Sequence, residues 1–343
     1  MKGIRQLADH LGISIGTVSR ALNDKPDVNE GTRRRVLEAA EMLGYVPNQA
    51  GRSLRRGSTG IIGFMMQTGH ETTGQGDSFF MGIFDGVQTV LARHGLDLVA
   101  LLCTSEEDPD AFLKRIVARG FVDGVILSAT RSRDGRPAML QKAKIPFVTL
   151  GRSLSDVGQP WYDLDFEGMA NTAIDRLVAK GHRRIAIYRP LGDVNFGYVF
   201  ENCCREALAR HGLPLPGELV LRSKQNEDGG YQLAQEFLAL PARPTAMVLV
   251  DEATVLGFYR GLQEAGLRPG TDVAVIGQFS PRAQYLSPSL TCFRPALREL
   301  GISMAETLIS TIPDFEDRYP QAPRQMLWPM ILEEGESDGD VRQ

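Results

Sequence analysis

From residue 60 onward the chain alternates short, almost purely apolar runs with longer amphipathic stretches, and no other feature limits its fold as much. The runs are IIGFMM, LDLVALLC, DGVILSA and PFVTLG in one half, and RIAIYR, AMVLVD and DVAVIG in the other. A strand with one wet face alternates apolar and polar residues. Runs without that alternation read as strands buried on both faces, and the amphipathic segments between them as crossover helices of a parallel sheet. About four such units precede the stretch GRSLSDVGQPW and about four follow it. The expected fold class is therefore α/β, with two similar lobes, each a doubly wound parallel sheet, and a cleft between them. A length of 343 residues, more than one hydrophobic core accommodates, agrees with several domains.

The first sixty residues carry no strand signal. GIRQLADHL places Ile4, Leu7, Ala8 and Leu11 on one helical face, Gly12 offers a left-handed stop, and Ser14 can cap a second helix, IGTVSRALN. Asn29 opens a third helix, EGTRRRVLEAAEMLG, whose Val36, Leu37, Ala40 and Leu43 are expected to close a small core with Val18 and Leu22. The opposite face of the second helix presents Ile15, Gly16, Thr17, Ser19, Arg20 and Asn23. Small residues let a helix sit deep in the major groove of DNA. Thr, Ser and Asn can bond phosphates or base edges, and Arg can read guanine. The charge distribution agrees: residues 1 to 60 hold ten basic and six acidic side chains, whereas the remainder holds 28 basic and 36 acidic. A basic module on an acidic body points to a polyanion-binding head.

The stretch from IRQLADHLGISIGTVSRALN through TRRRVLEAAEMLGYVPN and RSLRRG to IIGFMM resembles, nearly position for position, the start of the lactose/galactose repressor family. FFMGIFDGVQ, GHRRIAIY, DEATVLGFYRGLQEAGLRPGTDVAVIG and LTCFR resemble landmarks further along that family, while Gln6 stands where it usually has an acid. The resemblance implies a transcriptional regulator, most simply a repressor, that binds a palindromic double-stranded DNA operator as a homodimer or a tetramer. Its body would be similar to periplasmic sugar-binding proteins and would hold a small-molecule effector. The expected division is a helix-turn-helix head at 1–46, a hinge at 47–60 and a two-lobed body at 61–332. Lobe 1 would comprise about 61–160 and 292–322, lobe 2 about 163–290 and 323–332, with the acidic tail 333–343 disordered. On the head, Ile4, Ser14, Ile15, Gly16, Thr17, Ser19, Arg20, Asn23, Asn29 and Arg34 are the candidate DNA contacts.

The hinge, PNQAGRSLRRGSTG, reads as a linker except that Leu54 stands alone among Arg52, Arg55 and Arg56. Residues 48 to 56 are expected to form a short helix only when two subunits meet on DNA. The pair would lie in the minor groove, with Asn48, Arg52, Ser53 and Arg55 on the DNA and both copies of Leu54 driven between base steps. Unstacking a step costs a few kcal/mol, offset by the phosphates that the kink brings to the arginines. Weak helix propensity would then let an effector that separates the lobes melt the segment.

In open parallel sheets, ligands bind beyond the carboxyl ends of strands, and in two-lobed proteins they bind between the lobes. That rule selects Asp77, Phe79, Phe80, Arg152, Asp165, Phe196, Phe200, Asp251, Phe279 and Arg294 as effector candidates. Many sugar-responsive members end one strand with paired acids and carry an arginine ahead of a GY..AL helix segment. This chain has IGQFSP and Phe200 instead. Losing one side of a buried bidentate hydrogen bond costs about 1–3 kcal/mol, so a sugar, polyol or sugar acid of less polar or anionic character is expected.

No enzyme is expected. GISIG, residues 12–16, matches a nucleophile-elbow pattern but follows a helix, so Ser14 reads as a cap. Phosphate-loop and zinc-protease motifs are missing, and His10, His70, His94, His182 and His211 are scattered, as surface or capping histidines would be, so neither cofactor nor metal is expected. Cys103, Cys203, Cys204 and Cys292 read as buried filler. No apolar run reaches 18 residues and the N-terminus lacks a signal-peptide core, which points to a soluble cytoplasmic protein without a membrane partner. The competing readings are a solute-binding protein, or an α/β enzymatic domain fused to an accessory DNA-binding head.

Overall fold

A computed structural model of the chain describes residues 3–22, 25–45, 58–68, 76–278, 281–315, 317–320, 322 and 324–341, with the backbone alone for 76–78, 281 and 314. It divides into two compact units, Met1–Thr59 and Gly60–Gln343.

In the first unit, α1 (Ile4–Leu11) stops at Gly12, whose φ of 65° suits the one residue without a Cβ. Ser14 Oγ accepts the Thr17 N–H at 3.0 Å and starts α2 (Ile15–Leu22), as expected of a cap and not of a nucleophile. Asn29 accepts the Gly31 N–H at 2.8 Å and starts α3 (Glu30–Met42). Leu7, Ala8, Val18, Ala21, Val36, Ala39 and Ala40 form the core, with Ile4, Leu11, Leu22 and Leu43 packed at its margin. Leu37 is not part of it: the residue is 49% exposed, and Ala39 occupies the inward position. Val36, Ala39 and Ala40 share one face at helical spacing, which turns Leu37 outward.

The second unit contains two six-stranded sheets. Its first lobe runs β1 (Ile61–Gln67), α4 (Gly76–Ala92), β2 (Asp97–Cys103), α5 (Pro109–Ala118), β3 (Gly124–Leu127), α6 (Arg136–Lys142), β4 (Phe147–Leu150) and β5 (Trp161–Leu164). The chain then enters the second lobe with α7 (Phe166–Ala179), β6 (Ile185–Pro190), α8 (Asn195–Arg210), β7 (Val220–Ser223), α9 (Glu227–Ala239), β8 (Ala246–Leu249), α10 (Glu252–Glu264), β9 (Ala274–Gln278) and β10 (Thr291–Pro295). It returns through α11 (Leu297–Ser310) and β11 (Gln325–Trp328) and ends with β12 (Met330–Glu333). The sheet orders are β11-β5-β4-β3-β1-β2 and β12-β10-β9-β8-β6-β7, parallel except for the β10–β12 pair. Each is a doubly wound sheet whose strand order reverses beside β1 or β6. Helices cross closely over them: a Cβ on Gly86 would lie 2.0 Å from the Arg298 carbonyl oxygen, and one on Gly257 1.8 Å from that of Glu227.

All seven apolar runs are strands, and β3, β6, β8 and β9 are buried throughout. β2 departs from the expectation, since Asp97, Ala100 and Leu102 are exposed on a strand at the sheet edge.

The lobe boundaries differ from those expected at three places. Residues 163–164, placed in lobe 2, belong to β5 and continue the lobe 1 sheet beside β4. Residues 292–295, placed in lobe 1, belong to β10, which pairs with β9 and β12 in lobe 2. Residues 325–328, placed in lobe 2, form β11 against β5. These strands are four or five residues long and carry polar side chains, so only their pairing reveals their lobe.

The tail is not disordered over its described part. Ser337 Oγ donates to the Val275 carbonyl at 2.6 Å and accepts the Thr291 N–H at 2.8 Å. Asp338 accepts from Thr291 Oγ1 at 2.6 Å, from Lys180 Nζ at 2.9 Å and from Arg176 Nε. Its acidity, which suggested solvation, serves buried pairing with Arg176 on α7 and Lys180 just past its end. His182 is likewise not on the surface: it is 2% exposed, between Thr245 Oγ1 and the Gly339 carbonyl. Cys103, Cys204 and Cys292 are buried and Cys203 half-buried, the packing role expected of them. Among the described residues, no helix is long and apolar enough to cross a membrane.

Candidate nucleic-acid interface and ligand cavity

On the head, the outer face of α2 is open. Ile15, Gly16 and Arg20 are exposed, and Thr17 and Ser19 half-exposed. Ser14 and Thr17 share a hydroxyl hydrogen bond of 2.9 Å. Arg20 lies 3.5 Å from Asp27 with both side chains more than half exposed, a pairing worth little in water and easily exchanged for a phosphate or a base. Arg34 meets Glu38 at 3.9 Å with similar exposure. Ile4 is half-buried against the core and Asn29 is engaged in capping α3, so these two shape the head as well as border its face. Asn23, Asn48, Arg52, Ser53, Leu54, Arg55 and Phe279 lie outside the described residues, and Asp77 is described only as backbone in the first turn of α4.

The two-lobed body holds a cavity of about 730 Å³, its open mouth included, at the carboxyl ends of strands from both sheets. Phe79 and Phe80 enter it from α4, Ser128, Ala129 and Thr130 from the turn after β3, and Leu150, Gly151 and Arg152 from the end of β4. Asp163 and Leu164 come from β5 and Phe166 from α7, while Val194, Phe196 and Gln225 complete it from lobe 2. Phe166 and Phe196 stack with ring centroids 4.9 Å apart, and Phe79 meets Phe80 edge-on at 5.2 Å. Such faces suit the apolar side of a ring.

One charged cluster lies at the wall. Arg152 Nε donates to Asp163 Oδ2 at 2.8 Å and Nη2 to Glu167 Oε1 at 2.6 Å, with the guanidinium 5.4 Å from the centroid of Trp161. Glu167 Oε2 is buried with no hydrogen-bond partner. Burial pushes the Asp163 carboxyl up to about 6, although Arg152 opposes the shift. One cation thus stands against two carboxylates, which take its Nε and Nη2.

Of the expected effector residues, Phe79, Phe80, Arg152 and Phe196 meet in this cavity. Four others do not line it. Asp165 is turned to cap α7 through the Gly168 N–H at 2.8 Å. Asp251 is fully buried and caps α10 through the Thr254 N–H at 2.8 Å. Phe200, one turn along α8 from Phe196, packs in the core with no exposure. Arg294 pairs with Glu333 at 2.5 Å across β10 and β12. A residue after a strand end is as readily a helix cap as a ligand contact, and sequence position alone does not separate the two.

The sequence reading missed Ser128, Thr130, Asp163, Phe166, Gln225 and the pairing role of Glu167. Ser128 and Thr130 follow a recognised run and the strand-end rule could have found them. Asp163 was hidden in WYDL, which lacks an apolar pattern.

Residues 3–48 match the model for bacterial regulatory proteins of the lacI family, and residues 174–337 match the periplasmic binding protein-like domain. The chain is 36% identical to HTH-type transcriptional regulator AglR of Rhizobium meliloti (strain 1021), over 95% of this chain and 91% of that one. It is 30% identical to HTH-type transcriptional regulator CelR of Thermobifida fusca, over 90% and 91%. A solved complex of transcriptional regulator CelR with cellobiose superposes with a TM-score of 0.71 at 28% identity, covering 98% of this chain and 99% of that one. The lac repressor dimer bound to operator and the anti-inducer ONPF shares the fold, with a TM-score of 0.81 at 22% identity over 96% and 97%. With both halves matched and the α2 face open, the chain belongs to the lacI family of bacterial regulatory proteins and is a sequence-specific DNA-binding regulator of transcription.

Proposed function

We propose that this regulator is a dimeric repressor whose operator binding is controlled by a neutral carbohydrate or polyol held between the lobes. The observation that carries the reading is the state of Arg152. Its guanidinium, the natural partner for a ligand carboxylate, is already forked between Asp163 and Glu167, leaving the wall with an excess negative charge. An anionic ligand approaching Arg152 would face both carboxylates that already bond it. A neutral ligand meets no such repulsion, and Ser128, Thr130 and Gln225 line the cavity with polar side chains that can bond its hydroxyls. The phenylalanine pairs supply apolar faces for a sugar ring. This narrows the expectation from the sequence by setting sugar acids aside. The CelR relative, solved with cellobiose, supports a neutral sugar. That the relatives are transcriptional regulators supports a function without catalysis.

The ligand acts by favouring one arrangement of the lobes. Moving the balance from 1:99 to 99:1 requires roughly 10⁴-fold tighter binding to one state, so the cavity walls must differ between states. The residues of α2 read the operator and Leu54 wedges the minor groove where two hinges pair. Thermal-shift titration with neutral sugars, polyols and sugar acids tests the ligand class, since a ligand at 100 times its Kd adds about 2.7 kcal/mol. Stabilisation by a neutral compound is expected, and stabilisation by sugar acids alone would overturn the reading.

A further inference from the structure

Behind the cavity lies an ion pair that touches no ligand space. Arg136 is fully buried, and Asp134 is 2% exposed. Arg136 donates to Asp134 through Nη2 at 2.6 Å and Nε at 2.9 Å. Burial would raise the Asp134 carboxyl, but the Arg136 hydrogen bonds and charge outweigh it and hold the group below the ordinary carboxylate range. Apolar residues of the same volume commonly stabilise a core as well as such a pair does, so stability alone gives little reason for it.

Apart from the Arg136 N–H, which donates to Asp134 at 3.0 Å, the remaining hydrogen bonds of the pair converge on the turn after β3. Arg136 Nη2 donates to the Ala129 carbonyl at 3.0 Å and to the Ser128 carbonyl at 3.2 Å. Asp134 accepts the Arg131 N–H at 3.2 Å. The segment so held includes Ala129 at a φ of 50°, a left-handed conformation that a residue with a Cβ adopts at a cost. Directly beyond it, the turn crosses to lobe 2. The Thr130 carbonyl accepts the Asn195 N–H at 2.9 Å, the Ser132 N–H donates to the Asp193 carbonyl at 2.9 Å, and Arg131 and Val194 form an antiparallel bridge. Asn195 is the first residue of α8, which has no side-chain cap, so lobe 1 supplies an acceptor to a helix of lobe 2. Thr130 and Val194 both line the cavity.

We propose that Asp134 and Arg136 are positioning residues for the regulatory response: they hold the left-handed turn in the shape that latches lobe 1 onto lobe 2 at the edge of the ligand cavity. The pair touches neither ligand nor DNA and acts through the Ser128–Ser132 backbone. Weakening it should shift the lobes toward opening. The consequence for regulation rests on the reading of the cavity as the effector site; the latch itself does not.

The test is amide hydrogen exchange on the full chain without DNA or sugar, so failure of the sugar reading leaves it intact. The Asn195 N–H lies in the first turn of α8 with no intrahelical acceptor, and its protection reports the latch. Arg136→Met is expected to speed exchange at Asn195 and Ser132 at least tenfold, with Phe64 in β1 and Val248 in β8 unchanged. Arg136→Lys, which keeps the charge but cannot bond the carboxylate through Nε while a second nitrogen holds the carbonyls, should do the same and serves where the methionine variant does not fold. Adding Ala129→Gly, which takes the left-handed conformation freely, should restore part of the protection. Wild-type exchange at Asn195 and Ser132 in both Arg136 variants would overturn the proposal. So would acceleration there only in step with Phe64 and Val248, or no recovery with glycine.

Discussion

Replacing Asp163 by asparagine should change how the stability of the two-lobed body depends on pH, in a direction fixed by the burial of that residue. The Asp163 side chain is 5% exposed, and its carboxyl is raised from 3.8 to about 6 by burial, against the opposing pull of Arg152. A raised folded value means that the native state holds a proton which the unfolded chain has released between pH 4 and 6. Stability therefore falls as pH rises through that window, and the loss is complete above the folded value. Two units at 1.36 kcal/mol each give about 3 kcal/mol. Asparagine keeps the shape and removes the titration, and Arg152 keeps Glu167 at 2.6 Å. Urea unfolding of both proteins from pH 4 to 7 should show the variant gaining about 3 kcal/mol relative to wild type across the range. The difference cancels the opposite slopes of other carboxylates such as Asp134 and Asp338, which lie below their ordinary values. A stability difference that stays flat from pH 4 to 7 would refute the burial argument. The reverse slope would show that Arg152 dominates.

Arg20→Ala should lose discrimination between operator and random duplex by about 1–3 kcal/mol, whereas Arg34→Ala should weaken both alike; competition gel retardation at fixed salt distinguishes them. Equal losses for Arg20→Ala on both duplexes would remove its base-reading role. Leu54→Ala should bind operator more weakly and bend it less, and unchanged affinity with an unchanged bend in a circular-permutation assay would exclude the wedge. Asp338→Ala takes a buried carboxylate from Arg176, which keeps Glu334, and from Lys180, and leaves the Thr291 hydroxyl without its acceptor; it should cost about 2–3 kcal/mol, reduced from a fully buried pair because both cations are partly hydrated. Calorimetry should show the melting temperature of the body falling by roughly 5–10 °C, and no fall would mean that the tail does not hold the lobe.

The strands written as unbroken apolar runs were legible because a buried parallel strand has no reason to include polar residues. Short strands with polar or exposed positions were not. Trp161–Leu164, Gln325–Trp328 and Met330–Glu333 carry exposed or polar positions, and their place depends on pairing between segments far apart in sequence. The head was legible in nearly every respect because its caps, Gly12, Ser14 and Asn29, are local devices. Leu37 was the exception: an apolar residue one position from Val36 faces away from the core that Val36 fills. At the cavity, aromatic residues beside strand ends were found, whereas Asp165 and Asp251 illustrate the ambiguity of an acid in that position. The proposed preference for an uncharged ligand could not be read at all, because it rests on Arg152 being shared by two acids 11 and 15 residues away.

The most direct test of the account is a titration of neutral sugars and of sugar acids into the full chain bound to labelled duplex from its own promoter region, read by fluorescence anisotropy at constant salt. A neutral carbohydrate or polyol should change DNA affinity by tenfold or more, and sugar acids should not. A change produced by sugar acids alone, or DNA affinity untouched by any neutral ligand that binds the protein, would contradict it.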